Sequence, residues 1–315
     1  MTIRHLDYRG WHDSLLLSNG KAEAVIVPAI GRIMQFRSAG EEGPFWENPA
    51  MEGKAPDPSA AVWGNFGGDK TWPAPEQDWR SITGREFPPP PAFDSMPVSA
   101  DVRGSAVVLV SPLDRSYGMR TQRRIELDPV LQAMHVTTVY EKQQGSPVKV
   151  AVWIITQLKD PVAVFAPLPE ASTESEPYHR LSEASPDGVT IQKGLLSLIR
   201  SPAFNTKIGC NAGTLLWIGE TQALRIDSPR VPGAQYPDKG SSAEVYTNRD
   251  PLAYVELEML GPLATMRPGE RIEQTNTYTL IRRTERDAFS EALKILSPSN
   301  NYRKDVQDRL RRRSP

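Results

Sequence analysis

The sequence predicts an all-β antiparallel architecture, a large sandwich or barrel, and three observations carry that prediction. Apolar residues recur mostly in short alternating runs rather than at helical spacing. Turn residues punctuate those runs at short intervals. The 315 residues also include 29 prolines, and each interior proline costs a helix about 3 kcal/mol.

Taken in order, KAEAVIVPAI (Lys21 to Ile30) reads as a strand closed by Pro28 and a turn at Gly31. SAVVLVSPL (Ser105 to Leu113) is a second strand. MRTQRRIEL (Met119 to Leu127) and VLQAMHVTTVYEK (Val130 to Lys142) read as neighbours joined at Asp128-Pro129. After the QQGSP turn comes VKVAVWIITQL, Val148 to Leu158. GVTIQ, LLSLIR, TLLWIGE, ALRID, AEVYTN, AYVELEML and QTNTYTLIRR complete the set. More than ten such segments, separated by turns, favour packed antiparallel sheets. EFPPPPAFDSMP (Glu86 to Pro97) reads as a stiff polyproline-like spacer on the surface. Only two stretches favour a helix: RDAFSEALKIL (Arg286 to Leu296), with Phe289, Leu293 and Leu296 on one stripe, and the tail NYRKDVQDRLRRRSP. That tail is basic and polar, and reads as a solvated end. The expected division is residues 1–285 as one β domain and 286–315 as helix and tail.

Composition narrows the function classes. A net charge of -1 gives no global field for nucleic acid or an anionic membrane. No apolar run is long enough to span a bilayer as a helix, and the opening MTIRHLDYRGWHDS is too polar for a leader, so the expected address is cytoplasmic. The single cysteine, Cys210, cannot close an internal disulfide. Four scattered histidines (His5, His12, His135, His179) support no sequence-local metal site, and neither a metal nor a cofactor is expected.

The stretch GNFGGDKTWPAPEQDW, Gly64 to Trp79, carries the most chemistry. A phosphate-binding loop would need a glycine where Asp69 stands before Lys70 and Thr71, and a helix where Trp72-Pro73 follows. That reading is rejected. The loop suits a neutral polyol better. Asp69 accepts and Lys70 donates, so together they can grip adjacent hydroxyls, while Trp72 and Trp79 offer flat apolar faces. The competing reading makes the tryptophans a cap on the core and Asp69 an ion-pair partner of Lys70 or an arginine.

A second constellation lies in PLAYVELEML. Alternation puts Val255, Leu257 and Met259 on one face and Tyr254, Glu256 and Glu258 on the other. Two carboxylates about 6–7 Å apart along a strand repel unless each finds a partner, and one of them can serve as a proton acceptor near neutral pH. The competing reading pairs them with arginines such as Arg32 or Arg120 across a solvated sheet. QYPDKG, just upstream, adds Tyr236, Asp238 and Lys239 as a polar and aromatic loop.

The run YVELEMLGPLATMRPGERIEQTNTYTLI resembles the closing strands of galactose mutarotase-like (aldose 1-epimerase-like) proteins, with a proline-glycine turn at Pro268-Gly269. AVIVPAIGRIMQFRSAG is similar to that superfamily's opening hairpin, including Arg32. LDPVLQAMHVTTVYEKQQGSPVKVAVWIITQL is similar to its central pair of long strands. GGDKTWPAP, with YPDKG and VYTN, looks most like an uncharacterised bacterial branch. The resemblance implies one large β-supersandwich with a saccharide site on the concave face of its larger sheet. It further implies a glutamate base, placed at Glu256 with Glu258 as the second choice. Lys70 or Asp69 would supply the proton, because the family's two histidine positions hold Phe66 and the Trp153–Gln157 segment. Arg32, Trp72, Trp79, Trp153, Gln157, Tyr236 and Lys239 are the residues expected to shape the pocket. The expected partner is a small saccharide, bound by an enzyme of the mutarotase or epimerase type or by a non-catalytic relative of the same fold.

Overall fold

A computed structural model describes residues 1–60, 62–169, 176–184 and 187–297. The chain forms two large antiparallel sheets packed face to face. Among the described residues the larger has eleven strands. Thr2–Tyr8, Trp11–Ser18, Ala22–Val27, Arg32–Ser38, Asp69–Ala74, Val148–Lys159, Tyr254–Leu260, Ala243–Thr247, Thr206–Cys210 and His179–Arg180 follow one another across it, and Ala264–Met266 pairs with Val148–Lys159 off that path. The ten-stranded partner runs from Val189–Gln192 at one edge, through Arg271–Arg282 and Ala133–Lys142, to Ser99–Arg103 at the other.

Alternation decides which side chains fill the space between the sheets. Val255, Leu257 and Met259 enter the main core with Ile26, Phe36, Ile125, Met134 and Leu224, as the period-2 pattern predicts. The central pair also follows the sequence closely, with Met119–Leu127 beside Ala133–Lys142 in unbroken register. The one expected helix spans Ala288–Leu296 and lays Ala292 and Ile295 on Ala163, Phe165, Leu216 and Ile218 of the ten-stranded sheet. Asp287 caps its start by accepting from the Ser290 N–H. The basic tail lies outside the described residues.

Three expectations are corrected. The N-terminal residues Thr2–Tyr8 and Trp11–Ser18 form an edge hairpin, although neither was read as a strand. Asp69–Ala74, read as loop, is a fully buried strand at the middle of the larger sheet. It pairs with Val148–Lys159 on one side and with Arg32–Ser38 only at Ile33 on the other. Beyond Asp69 one edge therefore carries no ladder, which is where a residue without an N–H such as Pro73 is tolerated. The proline-rich stretch is not simply a spacer. Its Pro91–Asp94 turn of helix is entered through proline, and Ala92, Phe93 and Asp94 are buried.

Candidate functional site

The face of the larger sheet turned away from the core carries a connected polar cluster. Register builds it. Gln157 stands opposite Glu256, Ile155 opposite both Lys70 and Glu258, and Glu258 opposite Glu244. Directly opposed residues point to the same side of a sheet, so four strands deliver Lys70, Gln157, Glu256, Glu258 and Glu244 to one surface. Lys207, opposite Tyr246, joins from a fifth.

Lys70 Nζ lies 3.4 Å from Glu256 Oε1, and the Gln157 side-chain amide donates to the same oxygen at 2.8 Å. The ammonium also sits over two indole rings, 4.8 Å from the Trp72 centroid and 5.4 Å from that of Trp63. Burial lowers the Lys70 pKa, against the attraction of Glu256 and with help from the nearby Arg32 charge. Burial likewise raises Glu256, with Lys70 opposing and Glu258 assisting. Burial thus favours the neutral form of each group, and the attraction between them opposes it. Lys70 is 1% exposed and the Glu256 side chain 11%.

Beside this pair, Lys207 bridges two carboxylates, at 2.7 Å from Glu244 and 3.0 Å from Glu258. Glu258 also accepts from the Trp153 indole at 2.7 Å, and Lys207 lies 4.5 Å above that ring. Burial opposes the Lys207 charge, yet Glu244 and Glu258 outweigh it and hold its pKa well above the usual lysine range. Both contacts fall on Glu258 Oε2. The partners of the carboxylate pair are Lys70 and Lys207, not Arg32 or Arg120.

Next to Trp72, Asp94 gathers three donors. Its oxygens accept from Trp63 at 2.8 Å, Trp72 at 2.9 Å and Arg32 at 2.6 Å. Arg32 is therefore a buried support rather than a pocket residue. Gly67 and Gly68 bring the chain into the sheet at φ of 92° and 73°. A Cβ on Gly67 would sit 2.3 Å from the Trp46 carbonyl oxygen, and one on Gly68 2.6 Å from that of Ile33. The glycines serve close backbone packing, which answers why they precede Asp69 and Lys70.

Several expected site residues lie elsewhere. Asp69 and Lys70 are neighbours in a strand and must face opposite ways. Asp69 points between the sheets, ion-paired with Arg123 and accepting from Thr156 at 2.7 Å and Tyr278 at 2.6 Å. It cannot join Lys70 in gripping hydroxyls. Trp79 is wholly buried, donating to the Pro73 carbonyl at 2.7 Å and stacked with Phe87. Tyr236 is buried in its own loop, where its hydroxyl accepts from the Val231 N–H at 2.8 Å beneath Arg230. Lys239 is exposed on a cleft at the sheet's margin.

Sequence reasoning missed Trp63, Asp94, Glu244 and Lys207. It also missed an aromatic row at one end of the face, where Trp46 lies 4.5 Å from Tyr254, and Tyr254 6.2 Å from Tyr246. None of the four histidines neighbours Glu256. His5 and His12 lie in the N-terminal hairpin, His135 in the other sheet, and His179 in the outermost strand opposite Gly209. Among the described residues, no group of three or more His, Cys, Asp or Glu is arranged to hold a metal ion.

No family model and no curated protein sequence matches the chain. Solved structures do resemble it. A candidate aldose 1-epimerase from Escherichia coli superposes with a TM-score of 0.55 at 14% identity, over 90% of this chain and 100% of the other. A galactose mutarotase-like protein from Lactobacillus casei gives 0.56 at 10% identity, over 85% and 100%. A protein from Synechocystis gives 0.60 at 10% identity, over 89% and 97%. The fold is that of a galactose mutarotase-like β-sandwich with a short C-terminal helix.

Proposed function

We propose that this mutarotase-like sandwich is a carbohydrate-active, mutarotase- or epimerase-type enzyme that moves protons on an aldose or aldose derivative. The observation that carries the reading is the Lys70–Glu256 contact of 3.4 Å, in which burial moves each group toward neutrality. In the reaction, Glu256 takes the proton from the anomeric hydroxyl while the Lys70 ammonium protonates the ring oxygen. The ring opens to the aldehyde, the C1–C2 bond rotates, and the reverse transfers close the other anomer. Trp63 and Trp72 offer apolar surface beside the reacting carbon, and Gln157 fixes the carboxylate.

The test is anomer exchange followed by NMR on a panel of hexoses, with saturation-transfer spectra on the same samples. The native protein should speed exchange of at least one sugar above its spontaneous rate, and Glu256→Gln should lower that acceleration by about 10²–10⁴-fold, as loss of an acid/base group does. Saccharide signals with no acceleration would point to the second reading, a binding protein of the same fold without turnover. That reading is favoured by one observation: Lys70 is already committed to Glu256 and almost fully buried. No response to any saccharide would overturn both.

A further inference from the structure

Two open clefts adjoin beside the Lys207 cluster. The inner, about 510 Å³, is bordered by Trp153, Lys207 and Arg80. The outer, about 1100 Å³, continues over Arg180, Ser182 and Lys239. Gln77, Leu181 and Asp238 line both, so the two form one groove leading across the strands toward the sheet's edge. Its inner end begins at Trp153 and Lys207, the partners of Glu258, and Glu258 stands one pleat, about 6–7 Å, from Glu256. A pocket for one small ligand measures roughly 300–1,000 Å³, and the outer part alone exceeds that.

The wall of the groove is a strained turn. Asp238 and Lys239 take φ of 49° and 63°, a left-handed conformation unusual for residues with side chains and concentrated where chains contact ligands. The turn is held by Ser241, whose hydroxyl donates to the Asp238 carbonyl at 2.7 Å. It presents two consecutive polar side chains to the cleft, as recognition of hydroxyl groups requires. Among the described residues, five carboxylates (Glu76, Glu86, Glu176, Glu183, Asp238) line the groove against four cations, of which Lys207 is already neutralised by Glu244 and Glu258. An anionic ligand would meet net repulsion.

We infer that the ligand is an uncharged oligosaccharide, with a terminal ring at the Lys70–Glu256 pair and further rings laid along the groove from Trp153 and Lys207 to Asp238 and Lys239. This rests on the saccharide reading above and extends it to chain length and charge.

Calorimetric titration of the full chain with neutral gluco- and galacto-oligosaccharides of one to five rings, and with a hexose 6-phosphate, tests it. Affinity should rise at least tenfold between one ring and three, and the phosphate should bind no tighter than the free hexose. The double variant Asp238→Gly/Lys239→Gly keeps the left-handed turn accessible while deleting its side chains, and it should bind the trisaccharide no better than the monosaccharide. A monosaccharide that binds as well as every longer chain, or a phosphate that binds tighter, would overturn this inference and leave the saccharide reading intact. The chain-length series on the native protein decides the matter even where the variant does not fold. Failure of every saccharide to bind would overturn both.

Discussion

Lys70 and Glu256 stand 186 residues apart in the chain and meet at 3.4 Å from opposite corners of a three-strand patch. Their contact is a diagonal across Val148–Lys159, whose Ile155 opposes Lys70 and whose Gln157 opposes Glu256. Neither charge is held in water. The pair is therefore sensitive to losing either member, because a lone buried charge has no compensation.

Removing Lys70 as Lys70→Met should cost about 3–5 kcal/mol of stability near neutral pH. The sign of the pH dependence follows from Glu256. Burial already raises its pKa in the folded state, and loss of Lys70 removes the attraction that opposed the rise. A folded-state pKa above the unfolded one gives stability that is greatest below the unfolded pKa and lost as pH climbs through the folded value. The deficit of Lys70→Met should thus shrink as pH falls from the neutral range toward the ordinary glutamate pKa. Adding Glu256→Gln should recover most of it. Urea unfolding of the native, single and double variants across that range checks this, and a pH-independent deficit would show that Glu256 carries no charge there.

Asp69 should behave as a brace between the sheets and not as a site residue. Its carboxylate joins Arg123 of the ten-stranded sheet, Tyr278 of the same sheet and Thr156 of its own. Asp69→Ala leaves the Arg123 charge buried and unpaired, at a cost of about 3–5 kcal/mol. In a chain of this size that lowers the melting temperature by on the order of 10 °C. Thermal denaturation measures the loss, and saturation-transfer signals per folded molecule should persist. Signals that vanish at temperatures where the variant is fully folded would return Asp69 to the site.

The outcome for these residues shows what could be read from sequence. The face of Tyr254–Leu260 followed from alternation alone, because a strand's period is independent of its neighbours. The identity of those neighbours was not local information. Lys207 in TKIGC sits in a strand too short to stand out, while Glu244 lies in AEVYT, read as a strand but with nothing in it to name its neighbours; only strand order places both residues against Glu258. The Asp69–Ala74 strand was hidden by its own Gly67-Gly68 entry and Pro73. Recognised as a strand, it would have separated Asp69 from Lys70 at once. Trp63 lies in an irregular segment and Asp94 in a single helical turn, neither with a period to read, and packing alone brings them to the site.

Asp94 supplies the last prediction. One carboxylate accepts from the indoles of Trp63 and Trp72, the two rings under the Lys70 ammonium, and from the Arg32 guanidinium. It touches neither Lys70 nor Glu256 through any of these bonds; it holds the rings in place, and its charge also favours the Lys70 ammonium from a distance. Asp94→Asn retains acceptor oxygen for part of the set but lacks the charge that Arg32 needs, whereas Asp94→Ala frees both rings. Tryptophan fluorescence should therefore shift in Asp94→Ala, and saccharide affinity should fall roughly tenfold, the equivalent of about 1.4 kcal/mol. Asp94→Asn should recover part of the affinity, since two of its three donors are neutral indoles. A binding loss equal in both variants would mean that the Asp94 charge, acting on Arg32 and Lys70, and not the placement of the tryptophans, governs binding. The comparison separates a role in holding aromatic rings from a general loss of stability, which denaturation of the same two proteins would record independently.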